Sequence, residues 1–154
     1  MTSKPRTSAL DRVLELNALL NSDMTAWMSR EGLTPSRAHL LWELRHRGPS
    51  TQRVLAEAMG VSARNVTGLV DALVSTGFVT REPHPTDRRA ALVSLTQHGR
   101  TVVTAMAEGH VELAEVLFGG LSDEAFACFT GALDEVVTRL RARLELEDLE
   151  VTDA

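Results

Sequence analysis

The sequence predicts a mainly helical α+β fold: a winged helix-turn-helix core (α-α-α-β-β) carried between long N- and C-terminal helices. Three observations lead there. Apolar residues recur at helical spacing through most of the 154 residues. Two short helical segments meet at Met59-Gly60-Val61-Ser62, the tight turn of a helix-turn-helix. Directly after the second of them, two strand-like segments flank a polar, proline-stiffened loop, which makes a hairpin, the wing.

Taken in order, residues 1–8 read as a disordered start. Leu10, Val13, Leu14, Leu20, Met24, Trp27 and Met28 then mark a first helix that ends at Gly32. Thr34-Pro35 starts a second, with a capping hydroxyl and a proline at the first helical position. Leu40, Leu41 and Leu44 face inward, and Gly48-Pro49 stops it near Arg47. Ser50 or Thr51 caps a short third helix that runs to Met59 and buries Val54, Leu55 and Ala58, with Gly60 as its C-cap. Ser62 caps the fourth, in which Val66, Leu69, Val70 and Leu73 form the buried face. Its opposite face carries Arg64, Gly68, Asp71 and Ser75.

Strands are expected at Phe78–Arg81 and Ala91–Thr96, with Leu92 and Leu95 facing inward only if the second strand is irregular. Thr96 or Gln97 opens a fifth helix with Val103, Met106, His110, Leu113 and Leu117 on one face, broken at Gly119-Gly120. Ser122-Asp123-Glu124 caps a sixth, which shows Phe126, Phe129, Leu133, Val136, Val137, Leu140 and Leu144. Residues 148–154 read as a frayed acidic tail. A helix over 122–148 is roughly 40 Å long, more than the ~30 Å of a small domain. Its apolar stripe needs other helices and a second copy of the chain. Residues 1–33 and 97–154 are therefore expected to form a dimerisation module around a DNA-binding domain at 34–96.

Composition bounds the function. Apolar residues are 44% and charged residues 24% of the chain, ordinary for a globular protein. The longest run without a charge, Ala90–Gly99, is too short for a membrane helix, and the polar N-terminus lacks an export signal, so a cytoplasmic location is expected. The single cysteine, Cys128, excludes an intrachain disulfide framework. The net charge of −5 is unevenly spread: residues 1–33 are neutral, 34–96 carry +3 and 97–154 carry −8. A phosphate-bearing partner would meet the middle segment.

The chemistry concentrates there. The N-terminal end of the fourth helix is small, polar and cationic: Ser62, Ala63, Arg64, Asn65 and Thr67. Arg can bond guanine, Asn can bond adenine, and Thr or Ala can touch a thymine methyl in the major groove. Gly68 would allow close approach to a duplex. Arg88 and Arg89 sit at a loop tip held by Pro83 and Pro85, where an arginine can enter the minor groove. Asp87 is expected to brace an arginine side chain.

The segment Asp87-Arg88-Arg89-Ala90-Ala91-Leu92-Val93-Ser94-Leu95-Thr96, followed by Gly99, resembles the wing signature of the MarR family. Leu55-Ala56, Val61-Ser62, Val66-Thr67, Leu69-Val70, Leu73 and Gly77-Phe78-Val79 match that family's third and fourth helices and its step into the wing. The resemblance covers about residues 34–100. It implies a homodimeric repressor of a pseudo-palindromic operator in double-stranded DNA. Arg64, Asn65 and Thr67 would read the major groove and Arg89 the minor groove, with Asp87 orienting the wing. Gln52, Arg53 and Ser62 would hold phosphates. It also implies release by a small phenolic or anionic effector.

Met24, Trp27, His39, Trp42 and His46 lie near where such a pocket would form, although Trp27 and Trp42 also suit plain core packing. Cys128, between Phe126 and Phe129, reads as a packing residue rather than a redox switch. The five histidines show no metal-ligand spacing, and no cofactor is expected. No phosphate loop, nucleophile elbow or carboxylate pair supports an enzyme. Two alternatives retain the same fold: an interaction module that does not read DNA, and a sequence-neutral DNA binder without ligand response.

Overall fold

A computed structural model describes residues 3–152, with side-chain surroundings given for 4–145. Six helices and three strands follow in the order α1 (Ser3–Arg30), α2 (Pro35–Arg47), β1 (Ser50–Thr51), α3 (Gln52–Met59), α4 (Ala63–Ser75), β2 (Val79–Pro83), β3 (Ala91–Leu95), α5 (Gln97–Phe118) and α6 (Asp123–Thr152). The chain divides into two compact units, residues 1–106 and 107–154.

The first unit holds the core. Leu40, Leu41 and Leu44 of α2, Leu55 of α3, Val66, Val70 and Leu73 of α4, Val93 of β3 and Val103 of α5 are almost wholly buried together. The i, i+4, i+7 spacing on α4 and the i, i+1, i+4 spacing on α2 turn one stripe of each helix toward this centre. Met28 near the end of α1 and Leu33 after it join the same core, while most of α1 before them is exposed. Thr51 Oγ1 accepts from Val54 N–H at 3.3 Å, which settles the cap of α3. Gly60 ends α3 in the left-handed region (φ 64°), where its lack of a Cβ removes the strain. Ser62 Oγ accepts from Asn65 N–H at 3.2 Å to cap α4.

The hairpin is the larger part of a three-stranded antiparallel sheet of order β1-β3-β2. Ser50 pairs with Val93, and Val93 also pairs with Arg81. The two-residue strand β1 is too short to leave a periodic signal. The inward residue of β3 is Val93, which is fully buried, while Leu92 and Leu95 are only half-buried. The strand is therefore regular, with Ala91, Val93 and Leu95 on one side. Two burial expectations on α3 also shift: Val54 is exposed and Ala58 only half-buried, and Ala56 is the residue buried beside Leu55.

A close stitch joins the wing to α5. Thr96 Oγ1 donates toward Gly77 O (2.6 Å) and Phe78 O (3.1 Å) and accepts from Gly99 N–H (3.0 Å). A Cβ on Gly99 would collide with the Phe78 carbonyl oxygen, so the first turn of α5 can sit there only with glycine.

Helix α1 begins at Ser3, well before residue 9. Pro5 lies in its first turn, where a missing N–H costs no intrahelical bond. Helix α6 continues to Thr152, so the expected fraying from residue 148 is helix in its backbone; residues 1–2 and 153–154 of the expected tails lie outside the described residues. In the second unit Phe118 meets Phe126 and Phe129, each at a ring-centroid distance of 5.6 Å. Phe126, Phe129, Leu133, Val136, Val137, Leu140 and Leu144 are all exposed. Among the described residues no single helix is long and apolar enough to cross a membrane.

Candidate nucleic-acid interface

Helix α4 is fixed from behind by its buried valines and leucines, so its other face is rigidly presented. That face exposes Ser62, Ala63, Arg64, Asn65, Thr67 and Gly68. The Arg64 guanidinium makes no hydrogen bond or ion pair with any described residue. Thr67 Oγ1 donates to Ala63 O at 3.0 Å, which fixes the orientation of its methyl. A shallow recess of about 350 Å³ runs along Ser62, Arg64, Asn65, Gly68 and Leu69. A Cβ at Gly68 would meet nothing within 4 Å, so nothing inside the chain requires glycine there.

The wing tip is folded by side-chain acceptors. His84 N–H donates to Ala90 O (3.1 Å) and Ala90 N–H to Asp87 O (3.1 Å). The Nδ1 of His84 accepts from the main-chain N–H groups of Thr86 (3.3 Å) and Asp87 (3.2 Å). Asp87 Oδ1 accepts from the main-chain N–H of Arg89 at 2.9 Å. This corrects the expected brace: the carboxylate holds the backbone of the turn, and the Arg88 and Arg89 guanidiniums have no partner among the described residues. A short carboxylate so close in sequence reaches the turn's own N–H groups before it reaches a long side chain. Both arginines are exposed.

The hairpin and α4 are joined by an ion pair that no sequence pattern announced. Arg81 Nη2 lies 2.7 Å from Asp71 Oδ1. The two residues fall on different elements, and neither's spacing hints at the other.

The residues assigned to phosphates are less uniform. Ser62 is at the helix start as expected. Arg53 is exposed but engages Glu57 at 3.1 Å. Gln52 departs from expectation, because its Nε2 is buried without a hydrogen-bond acceptor and is turned away from the surface.

Of the five residues proposed for an effector, only His39 lines either of the two recesses beside α4. His39 lines a recess of about 230 Å³ with Pro35, Met59, Val61, Asn65 and Leu69. Met24, Trp27, Trp42 and His46 line neither recess. The Trp42 and His46 rings lie one turn apart on α2, with centroids 4.7 Å apart and planes tilted by 60°. His39 Nε2 lies 3.5 Å from Glu43, which also holds Arg47 at 2.7 Å. The hydrogen bond from Arg47, assisted by the charges of Arg47 and His39, holds the Glu43 carboxyl below the usual range against the opposing effect of burial. Cys128 is exposed on α6, contrary to a packing role within one chain. Among the described residues no three His, Cys, Asp or Glu side chains gather as a metal site would require.

Comparison with known proteins converges on this region. The MarR family model matches residues 33–91. The HTH-type transcriptional regulator YfiV of Bacillus subtilis is 34% identical over 62% of this chain and 59% of its own length. The HTH-type transcriptional repressor NicR of Pseudomonas putida is 33% identical over 58% of this chain and 57% of its own. The chain thus spans less than two thirds of both. The repressor YetL of B. subtilis is 27% identical over 83% of this chain and 78% of its own length. Among solved structures, YusO of B. subtilis superimposes with a TM-score of 0.76 at 20% identity, covering 90% of this chain and 98% of that one. A MarR family protein of Bacillus stearothermophilus gives 0.69 at 22% identity, covering 92% and 99%. The MarR family model thus covers α2 through the first residue of β3, and the six-helix fold is that of solved MarR-family structures.

Proposed function

We propose that this chain is a DNA-binding transcriptional repressor that acts as a cytoplasmic homodimer on a pseudo-palindromic operator. The observation that carries the reading is the exposed face of α4. A mid-helix glycine is less stable than alanine by about 1 kcal/mol, and Gly68 has no neighbour that needs it. Its reason must lie outside the chain, in a partner that comes close to the backbone. The unpartnered Arg64 beside it and the Arg88/Arg89 wing tip supply the charge that suits DNA. Asn65 and Thr67 would add base contacts, Ser62 and Arg53 phosphate contacts.

The second copy is argued from the terminal helices. Leu10, Leu14 and Leu19 of α1 and the seven apolar side chains of α6 are exposed, more than one soluble chain ordinarily leaves uncovered. Gly109 and Gly131 sit inside helices with no neighbour within 4 Å, as Gly68 does. Release by a small phenolic or anionic effector follows from the resemblance alone.

The test is selection of bound duplexes from a random pool by the purified protein at near-physiological salt. An enriched inverted repeat with half-sites about 10 bp apart supports the reading. A pool that stays random while salt-dependent binding persists favours a sequence-neutral binder. No binding at all favours an interaction module.

A further inference from the structure

The ion pairs Arg12–Glu15, His39–Glu43, Arg47–Glu43, Arg53–Glu57 and Arg139–Glu135 each join positions three or four apart on one helix, whereas Arg81–Asp71 joins two elements ten residues apart. That pair joins the two elements to which the proposed function gives the reading of DNA. We infer that it is a strut that fixes the angle between recognition helix and wing, making Asp71 and Arg81 positioning residues for operator specificity. The inference rests on the DNA-binding reading above.

The corner between α4 and β2 is tightly built at its vertex. Phe78 N–H donates to Leu73 O at 2.9 Å, Gly77 N–H to Val74 O at 3.1 Å, and the Thr96 hydroxyl reaches Gly77 O. These bonds fix where the chain turns, but they lie at the vertex and resist opening of the angle poorly. Asp71 lies about 9 Å back along the helix from Gly77 at ~1.5 Å per residue. Arg81 lies about 10 Å out along the strand from Phe78 at ~3.3 Å per residue. A contact between them closes a triangle. Val79, on the same side of β2 as Arg81, is buried, so the strand turns this side toward the helix and the arginine continues it beyond the core.

The pair also explains an otherwise adverse charge. Asp71 is exposed on the face that would meet phosphates. A carboxylate there repels DNA unless it does something else. Paired with Arg81 it is neutralised, and the helix keeps a fixed partner.

The test compares Asp71→Asn, Arg81→Gln, the double variant and the conservative Arg81→Lys. For each, affinity for the selected operator and for random DNA of equal length is measured against salt, alongside thermal melting. Simple electrostatics predicts that Asp71→Asn, which removes a negative charge, binds all DNA more tightly with an unchanged operator-to-random ratio. The strut predicts that the ratio falls roughly tenfold, the cost of misplacing about one base-pair contact. It predicts the same loss for Arg81→Gln, no further loss in the double variant, and substantial rescue in Arg81→Lys. A merely structural role would shift melting without moving the ratio. An unchanged ratio in Asp71→Asn overturns the inference. So does a loss in Asp71→Asn that Arg81→Gln does not share, because Asp71 would then be reading a base itself. Failure of the unaltered protein to prefer any sequence would instead overturn the DNA-reading proposal.

Discussion

At the scale of single residues, the structure separates what folds the chain from what faces outward. Gly68 does the two things in opposition. Gly68→Ala adds a side chain into open space on a helix that gains from it. The variant is expected to be more stable by about 0.5–1 kcal/mol in urea unfolding and weaker for its operator by about tenfold or more in a titration. Equal or tighter operator binding would remove the main support for close approach at this position. Arg64, Asn65 and the Arg88/Arg89 tip were legible in the sequence, because small polar and cationic residues at a helix start and a loop tip advertise themselves without tertiary information. Arg81 and Asp71 were not. An ion pair across a corner depends on where two elements end up, and each residue alone reads as a solvated charge. His84 was passed over for a similar reason: its acceptor role on Thr86 and Asp87 depends on the turn it helps to form.

At the scale of elements, the helices of the core followed their spacing closely. Val66, Val70 and Leu73 are buried as their period demands, and Ser62 and Gly60 bound α3 and α4 where capping chemistry places them. The expectations that failed involve short or non-local pieces. Strand β1 exists only because Val93 and Leu92 pair with it. Val54 faces out because α3 is too short for one residue to decide its phase. Helix α2 carries a pH consequence. The Glu43 carboxyl is held below its ordinary value by Arg47 first and then by His39, so ionised Glu43 favours the folded state. That contribution is present above the ordinary carboxylate range and is lost as pH falls through the lowered folded value. Glu43→Gln is therefore expected to cost about 0.5–1 kcal/mol at pH 7, and the gap to the unaltered protein should close as pH falls through that lowered value. A gap that is constant with pH would show that packing, not charge, was lost.

At the scale of the whole molecule, charge is partitioned: +3 on residues 34–96 and −8 on residues 97–154. An acidic protein can then bind a polyanion through one segment while the rest discourages other orientations. Operator binding is expected to weaken with salt at a log–log slope of about −0.9 per phosphate neutralised. For a dimer using a few arginines per copy that is a slope of several units, and a flat response would contradict the electrostatic assignment.

The strand order of the sheet has a consequence for synthesis on the ribosome. The middle strand, β3, is the last of the three to be made, so β1 and β2 emerge with no neighbour to pair with. At about 5–20 residues per second, several seconds separate the appearance of β1 from that of its partner. In the later part of that interval α3 and α4 are complete in sequence, yet Val93 is missing from the core and Thr96 from the corner. The nascent chain therefore exposes α4 before the sheet fixes its angle, and a chain truncated ahead of residue 91 would contain the helix-turn-helix without the sheet that holds it.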